Sequence, residues 1–242
     1  MIVLRSALFL VWFAGVSIVL HIVALPLLFA PPRAMLRIAQ FWAAAVLFGL
    51  KWICGLAYEV RGKKHVPRGA ALIASKHSTM WETIAFLVLV KDPAIVLKRT
   101  LTFIPLYGWY AVRMGMISVD RGGGGSAVRA MKRGARRALA DNRQIVVFPE
   151  GTRRPVGAPP RYRPGIAGLY AGLGISCVPV AHTSGLFWLS RGFLKRPGCI
   201  IVEFLPAIPP GLGRHEFMAE LQSRIETATS RLLGEARRNL DA

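Results

Sequence analysis

From Ser6 to Ala30 the chain carries no formal charge. A helix rises ~1.5 Å per residue and the hydrocarbon core of a bilayer is ~30 Å thick, so a run of this length can cross one. His21 is the strongest polar interruption, and Pro26 should bend the far end. A secretory signal is the rival reading. The run exceeds the usual apolar region of a signal, and Leu28-Phe29-Ala30 ahead of Pro31-Pro32 makes a poor cleavage site, so retention is favoured. A second greasy segment, Ile38 to Ala57, follows Pro31-Pro32-Arg33 and holds Trp42, Trp52 and one charge, Lys51. It suits a second membrane helix or an interfacial helix whose lysine snorkels. A hairpin would leave both chain ends on the cytoplasmic side, and the many Lys and Arg beyond residue 60 fit that orientation. One span with an outward N-terminus is also compatible.

The 242 residues can hold one sizeable domain plus an appendage. The expected division is residues 1–57 as membrane-anchoring helices and 58–242 as a catalytic domain. Lys plus Arg number 32 against 12 Asp plus Glu, for a net charge of +20, in a chain that is 53% hydrophobic. Grease and basic charge together point to an anionic membrane surface. Nucleic acid would explain the charge but not the apolar N-terminus, so it is not expected as a partner. Cys54, Cys177 and Cys199 are widely spaced and have no neighbouring His cluster. That pattern suggests neither a disulfide framework nor a zinc site, and fits small core residues in a reducing compartment.

Beyond residue 58, short apolar runs alternate with helical patterns and Gly/Pro turns. Strands are expected at 58–60, 70–75, 94–98, 115–119, 145–148, 176–180 and 199–204, and helices near 80–91, 126–141, 165–173 and 214–238. Such alternation predicts an α/β fold, a largely parallel central sheet flanked by helices, behind the N-terminal hydrophobic anchor. Gly122 to Gly125 open the helix near Ser126 without the spacing of a phosphate loop. That helix sets Val128, Met131, Ala135 and Leu139 on one face and Arg129, Lys132, Arg133, Arg136 and Arg137 around the rest, either as a solvated face or against lipid headgroups.

Two stretches carry candidate chemistry. His77 and Glu82 could not touch within one continuous helix, where they would lie about 140° apart. If a strand ends near Ser75 and a helix begins at Thr79, the carboxylate can fold back onto the imidazole, hold one nitrogen as N–H and leave the other free to take a proton. Thr79-x-x-Glu82 also spells a capping box, which needs no catalytic purpose. The second stretch follows a strand-like run, Ile145 to Phe148, and reads Pro149-Glu150-Gly151-Thr152-Arg153-Arg154. Glycine lets backbone N–H groups approach an anion, the threonine hydroxyl donates, and a guanidinium grips phosphate with two hydrogen bonds. An ordinary basic turn has the same composition.

Taken in order, His77-x4-Glu82, Lys98 with Gly115 to Arg121, Phe148-Pro149-Glu150-Gly151-Thr152-Arg153, and Val178-Pro179-Val180 resemble the four motif blocks of the glycerolipid acyltransferases. Within that family the chain looks most like the bacterial 1-acylglycerol-3-phosphate acyltransferases. The family's usual pattern is His-x4-Asp; Glu82 keeps the charge and adds a methylene. The resemblance implies transfer of a fatty acyl group from a thioester on coenzyme A or acyl carrier protein to the free sn-2 hydroxyl of lysophosphatidate. A related acceptor such as lyso-ornithine lipid is the alternative. It implies His77 as general base, Glu82 as the group that stabilises the imidazolium, and Lys98, Arg121, Glu150, Gly151, Thr152 and Arg153 as substrate-binding residues. Pro179 would shape the acyl-donor side. No serine-nucleophile elbow is present, so direct transfer is preferred to an acyl-enzyme, and neither metal nor bound cofactor is required. The expected place is the cytoplasmic face of the inner membrane, in contact with phospholipid and lysophospholipid.

Overall fold

The computed structural model describes the chain apart from residues 121, 123, 190, 191 and 242 and the side chains of 239–241. Its elements in chain order are α1 (Ile2–Ala24), α2 (Pro32–Cys54), β1 (Leu56–Arg61), β2 (Ala71–Ser75), α3 (Trp81–Leu89), β3 (Pro93–Lys98), α4 (Tyr107–Arg113), β4 (Ile117–Val119), α5 (Gly124–Ala140), β5 (Gln144–Val147), α6 (Gly165–Leu173), β6 (Cys177–His182), α7 (Ser184–Phe187), β7 (Gly198–Phe204) and α8 (Arg214–Asp241). The strands form one seven-stranded sheet in the order β1-β7-β6-β2-β5-β3-β4. From β6 to β4 every pairing is parallel, while β7 runs antiparallel to β6 and carries β1 in parallel on the edge. The expected largely parallel sheet is therefore present, with the β7–β1 pair reversed. Pro179 lies buried between two neighbours rather than on a strand edge. It faces Leu205 just after β7 has ended at Phe204, and Leu205 N–H donates to Pro179 O (2.9 Å).

Strand side chains alternate between faces, and that alternation separates two cores. Ile73, Ile95, Val146 and Val180 face α2 and α3, whose Leu50, Ile84 and Phe86 complete one cluster. Leu72, Ala94, Ile145 and Val147 face the other way, onto Met131 of α5, Leu169 of α6 and Phe217 of α8. The basic helix α5 therefore lies on the sheet face opposite α1 and α2. Its buried stripe is Ala127, Met131, Ala135 and Ala138, with Val128 and Leu139 half buried. Arg129, Arg133, Arg136 and Arg137 are exposed on the outer side of that helix.

The N-terminal segment is a helical hairpin, interrupted where Pro26 falls in a 3-10 turn at Leu25–Leu28. Both helices are long and apolar enough to cross a membrane. They are not detached from the rest. Phe9, Ala43, Val46, Leu47, Leu50 and Cys54 share a core with the sheet. At one end Cys54 Sγ donates to Arg5 O (3.7 Å) and Lys195 N–H donates to Ser6 Oγ (2.9 Å); at the other, Tyr110 OH of α4 donates to His21 O (2.6 Å). Polar side chains inside the hairpin are matched: Trp42 Nε1 donates to Ser17 Oγ (3.0 Å) and Trp12 Nε1 to Ala45 O (3.0 Å). The outer face is bare, with Leu4, Leu8, Val11, Ile18 and Ile22 exposed. Cys54 and Cys177 are buried as expected, but Cys199 is exposed, because it precedes the buried stretch of β7 that begins at Ile200.

Candidate active site

Three parallel strands deliver the chemistry to one end of the sheet. His77 follows β2, Lys98 closes β3, and Pro149 to Arg154 follow β5. In open α/β sheets the crevice beyond the carboxyl ends of the strands is where ligands bind.

Glu82 sits in the first turn of α3 and folds back over the loop that precedes it. Oε1 lies 3.0 Å from His77 Nδ1 and accepts from the backbone N–H groups of Ser78 (2.6 Å) and Thr79 (2.7 Å). Oε2 accepts from the hydroxyls of Thr79 (2.7 Å) and Ser184 (3.0 Å). Only half of the expected capping box forms: the carboxylate reaches back to Thr79 N–H, but the helix is capped at Met80 without a side-chain bond, and Thr79 Oγ1 accepts from Trp81 N–H (3.0 Å). Burial by itself pushes the Glu82 carboxyl up, but the electrostatic influence of His182, the hydrogen bond and electrostatic influence of His77 and the Thr79 hydroxyl outweigh it and hold the group down at about 2. Glu82 is accordingly ionised, and an ionised acceptor at Nδ1 fixes the imidazole with its proton on that nitrogen. Nε2 has no hydrogen-bond partner among the described residues. The ring stacks on Phe148 with centroids 4.4 Å apart.

The peptide carrying His77 is clamped from several sides. His77 N–H donates to Glu150 Oε2 (2.8 Å), and His77 O accepts from Arg154 N–H (2.8 Å). Lys76 N–H donates to Val180 O (3.0 Å), and Lys76 O accepts from His182 Nε2 (2.8 Å). The Lys76 side chain is buried and bridges Glu150 Oε1 (2.9 Å) to Glu226 of α8 (2.8 Å), and Tyr162 OH donates to the same Glu226 (2.9 Å).

The expected site residues divide in this setting. His77, Lys98 and Arg153 line one groove of about 320 Å³ between α3, β3 and α4, whose walls are apolar side chains such as Ile84, Leu87 and Leu97. Arg153 is exposed, as is Thr152, which is not part of the groove's lining. Gly151 adopts φ +67, a left-handed conformation that favours glycine, and its N–H is already donated to Phe148 O (3.0 Å). The Glu150 carboxylate points inward to Lys76 and His77 N–H rather than to the groove. Arg121 lies outside the described residues. Sequence reasoning assigns no role to Lys76, Ser184, His182, Tyr162 or Glu226. Lys76 adjoins His77 and is conspicuous as a lysine after an apolar strand, but nothing local marks Ser184 or Glu226, which arrive from distant parts of the chain.

Comparison with known proteins agrees with this geometry. The Acyltransferase family model matches residues 57–183. A 1-acyl-sn-glycerol-3-phosphate acyltransferase of Pseudomonas aeruginosa is 32% identical over 206 residues, covering 85% of this chain and 80% of that protein. The human 1-acyl-sn-glycerol-3-phosphate acyltransferase alpha is 26% identical over 167 residues, 68% of this chain and 59% of its own length. The crystal structure of the 1-acyl-sn-glycerophosphate (LPA) acyltransferase PlsC from Thermotoga maritima superposes with a TM-score of 0.78 at 19% identity, covering 96% of this chain and 98% of that one. A histidine held by a buried carboxylate at the carboxyl end of a parallel sheet, within a sequence that aligns across the whole motif region, has one reading: the chain belongs to the acyltransferase family.

Proposed function

We propose that this O-acyltransferase moves a fatty acyl group from a thioester on coenzyme A or acyl carrier protein to the sn-2 hydroxyl of lysophosphatidate, giving phosphatidate for phospholipid synthesis. The observation that carries the proposal is the groove itself. It brings His77, whose Nε2 has no hydrogen-bond partner among the described residues, into one lining with apolar side chains and the two cations Lys98 and Arg153. A lysolipid likewise combines a free hydroxyl with an acyl chain and a phosphate. The names of the relatives supply the particular acceptor.

In the reaction, Nε2 takes the proton from the acceptor hydroxyl as its oxygen attacks the thioester carbonyl. The imidazolium that forms is stabilised by Glu82 through Nδ1 and then gives the proton to the departing thiolate. An ester and a free thiol leave, and His77 is neutral again. Arg153, with Lys98, Thr152 and Arg121, holds the phosphate so that the hydroxyl meets His77. Glu150 and Gly151 act from behind, shaping the loop and holding the His77 peptide. No metal or bound cofactor takes part.

Residues 1–57 serve as the anchor and 58–242 as the catalytic domain. Because the hairpin is fastened to the domain at both ends, its bare outer face lies in one leaflet of the bilayer alongside the domain. The basic excess beyond residue 60 supports a catalytic domain on the cytoplasmic face of the inner membrane. The test is incubation of the purified protein with labelled acyl-CoA or acyl carrier protein and a panel of lysolipids, with Arg153→Ala in parallel. Turnover on lysophosphatidate that Arg153→Ala weakens is expected. A preference for lyso-ornithine lipid that is indifferent to Arg153 would replace the acceptor, and no transfer from either donor would refute the proposal.

A further inference from the structure

Between β3 and β4 the chain builds a cap over the groove. Arg99–Phe103 forms a 3-10 turn, and α4 follows through a tight turn at Leu106 (φ 63, ψ −64), where Tyr107 N–H donates to Pro105 O (2.7 Å). Such a conformation is rare for a residue with a side chain. Leu101, Ile104 and Tyr107 line the groove beneath. Phe103, Trp109 and Val112 point out and are 70%, 53% and 62% exposed.

A contiguous apolar patch of this kind marks an interaction surface. Its neighbours say which. Tyr110, beside the patch, packs with Ala24 and Met35 of the hairpin and donates to His21 O, and the Arg113 guanidinium donates to Ala30 O. The patch thereby continues into the hairpin's turn, where Phe29 is 91% exposed. Exposed Arg99 lies at the start of the cap, suited to phosphate headgroups. A soluble partner would have to cover this patch without covering the bare hairpin that adjoins it.

We propose that the cap Arg99–Arg113 is a second bilayer contact, separate from the hairpin, which seats Phe103, Trp109 and Val112 among the acyl chains of an anionic membrane. The groove mouth then opens at headgroup level and lysolipid enters from the side without leaving the bilayer. The purpose of that entry rests on the acyl-transfer reading; the contact itself rests on the surface alone.

Two measurements on the full-length protein test it. The first compares fluorescence quenching by brominated phosphatidylcholine in phosphatidylcholine/phosphatidylglycerol vesicles for the native chain and Trp109→Phe. A component that is quenched in the native chain and missing from the variant is expected, and an unchanged quenched fraction overturns the proposal. The second uses the double variant Phe103→Gln/Trp109→Gln. Turnover of long-chain lysophosphatidate embedded in vesicles should fall at least about tenfold, since the two aromatic side chains no longer favour burial among acyl chains. Turnover of a short-chain lysophosphatidate below its micelle threshold should stay within about twofold, as for other exposed substitutions. Equal losses on the two substrates overturn the proposal. So does a detergent-solubilised dimer that the double variant converts to monomer with Trp109 unquenched, which assigns the patch to a second copy. If the native protein acylates neither substrate, the acyl-transfer reading fails and quenching alone decides the contact.

Discussion

Glu82 holds three donors on one oxygen and two on the other, so charge and geometry can be separated at this residue. In Glu82→Gln the amide oxygen can keep the three donors at Oε1, while the hydroxyls of Thr79 and Ser184 rotate to accept from the new NH₂ group. The His77 tautomer survives and only the stabilisation of the imidazolium is lost. Turnover should fall about 10- to 100-fold, less than on removing the base itself, which typically costs about 10²–10⁴-fold. The carboxyl also bears on stability. Its folded pKa of about 2 is below the ordinary 4.5, so its contribution is present above that ordinary value and is lost as pH falls toward the folded one. Unfolding followed from neutral to acid pH should show a shallower decline for Glu82→Gln than for the native chain across that window. Lys76 has a different kind of weight. Lys76→Met leaves the buried Glu150 and the largely buried Glu226 without their cation, and stranding buried charge costs about 3–5 kcal/mol, far more than the methionine regains by packing. A large drop in denaturation midpoint is expected, whereas Glu226→Gln, which retains a hydrogen-bond acceptor beside Lys76, should lower turnover with little change in KM.

Gly108 decides how α4 seats on the 3-10 turn before it. A Cβ built there would meet Thr102 O at 2.1 Å, a backbone atom that cannot swing aside. Alanine would gain roughly 0.5–1 kcal/mol of helix preference over glycine, but overpacking costs about 1–3 kcal/mol, so the clash wins. Gly108→Ala should be destabilised in thermal unfolding and should raise KM for the lysolipid, since the shifted helix lines the groove. The same helix shows where sequence reasoning stops. The central strands are recoverable from apolar runs bounded by turns, because β2, β5 and β6 are buried on both faces. Tyr107-Gly108-Trp109-Tyr110 offers no helical period, as its outward residues are apolar too, and four-residue α7 is too short for any pattern. The start of α2 at Pro32 is signalled by proline at a first helical position, yet the apolar criterion that picks out Ile38 to Ala57 passes over Arg33 and Arg37 and runs on into β1.

For the whole molecule, the charge of +20 and the bare hairpin act at different stages of membrane binding. Charge steers approach over a Debye length of about 8–10 Å at ordinary ionic strength, and apolar burial holds the bound protein. Raising salt to about 1 M should therefore slow association with anionic vesicles while leaving the fraction bound at equilibrium nearly unchanged, as stopped-flow and flotation would show. The motif blocks make His77 and Arg153 readable from the chain, since order and spacing survive in sequence. Lys76's bridge to Glu226 does not, because α8 is placed by packing on the sheet and carries no motif. The central claim is that Nε2 of His77 removes the acceptor proton. It is tested most directly by the steady-state turnover of His77→Ala on lysophosphatidate, with vesicle binding and unfolding confirmed as native. A loss of about 10²–10⁴-fold is predicted; turnover within a few-fold of the native enzyme would contradict the account.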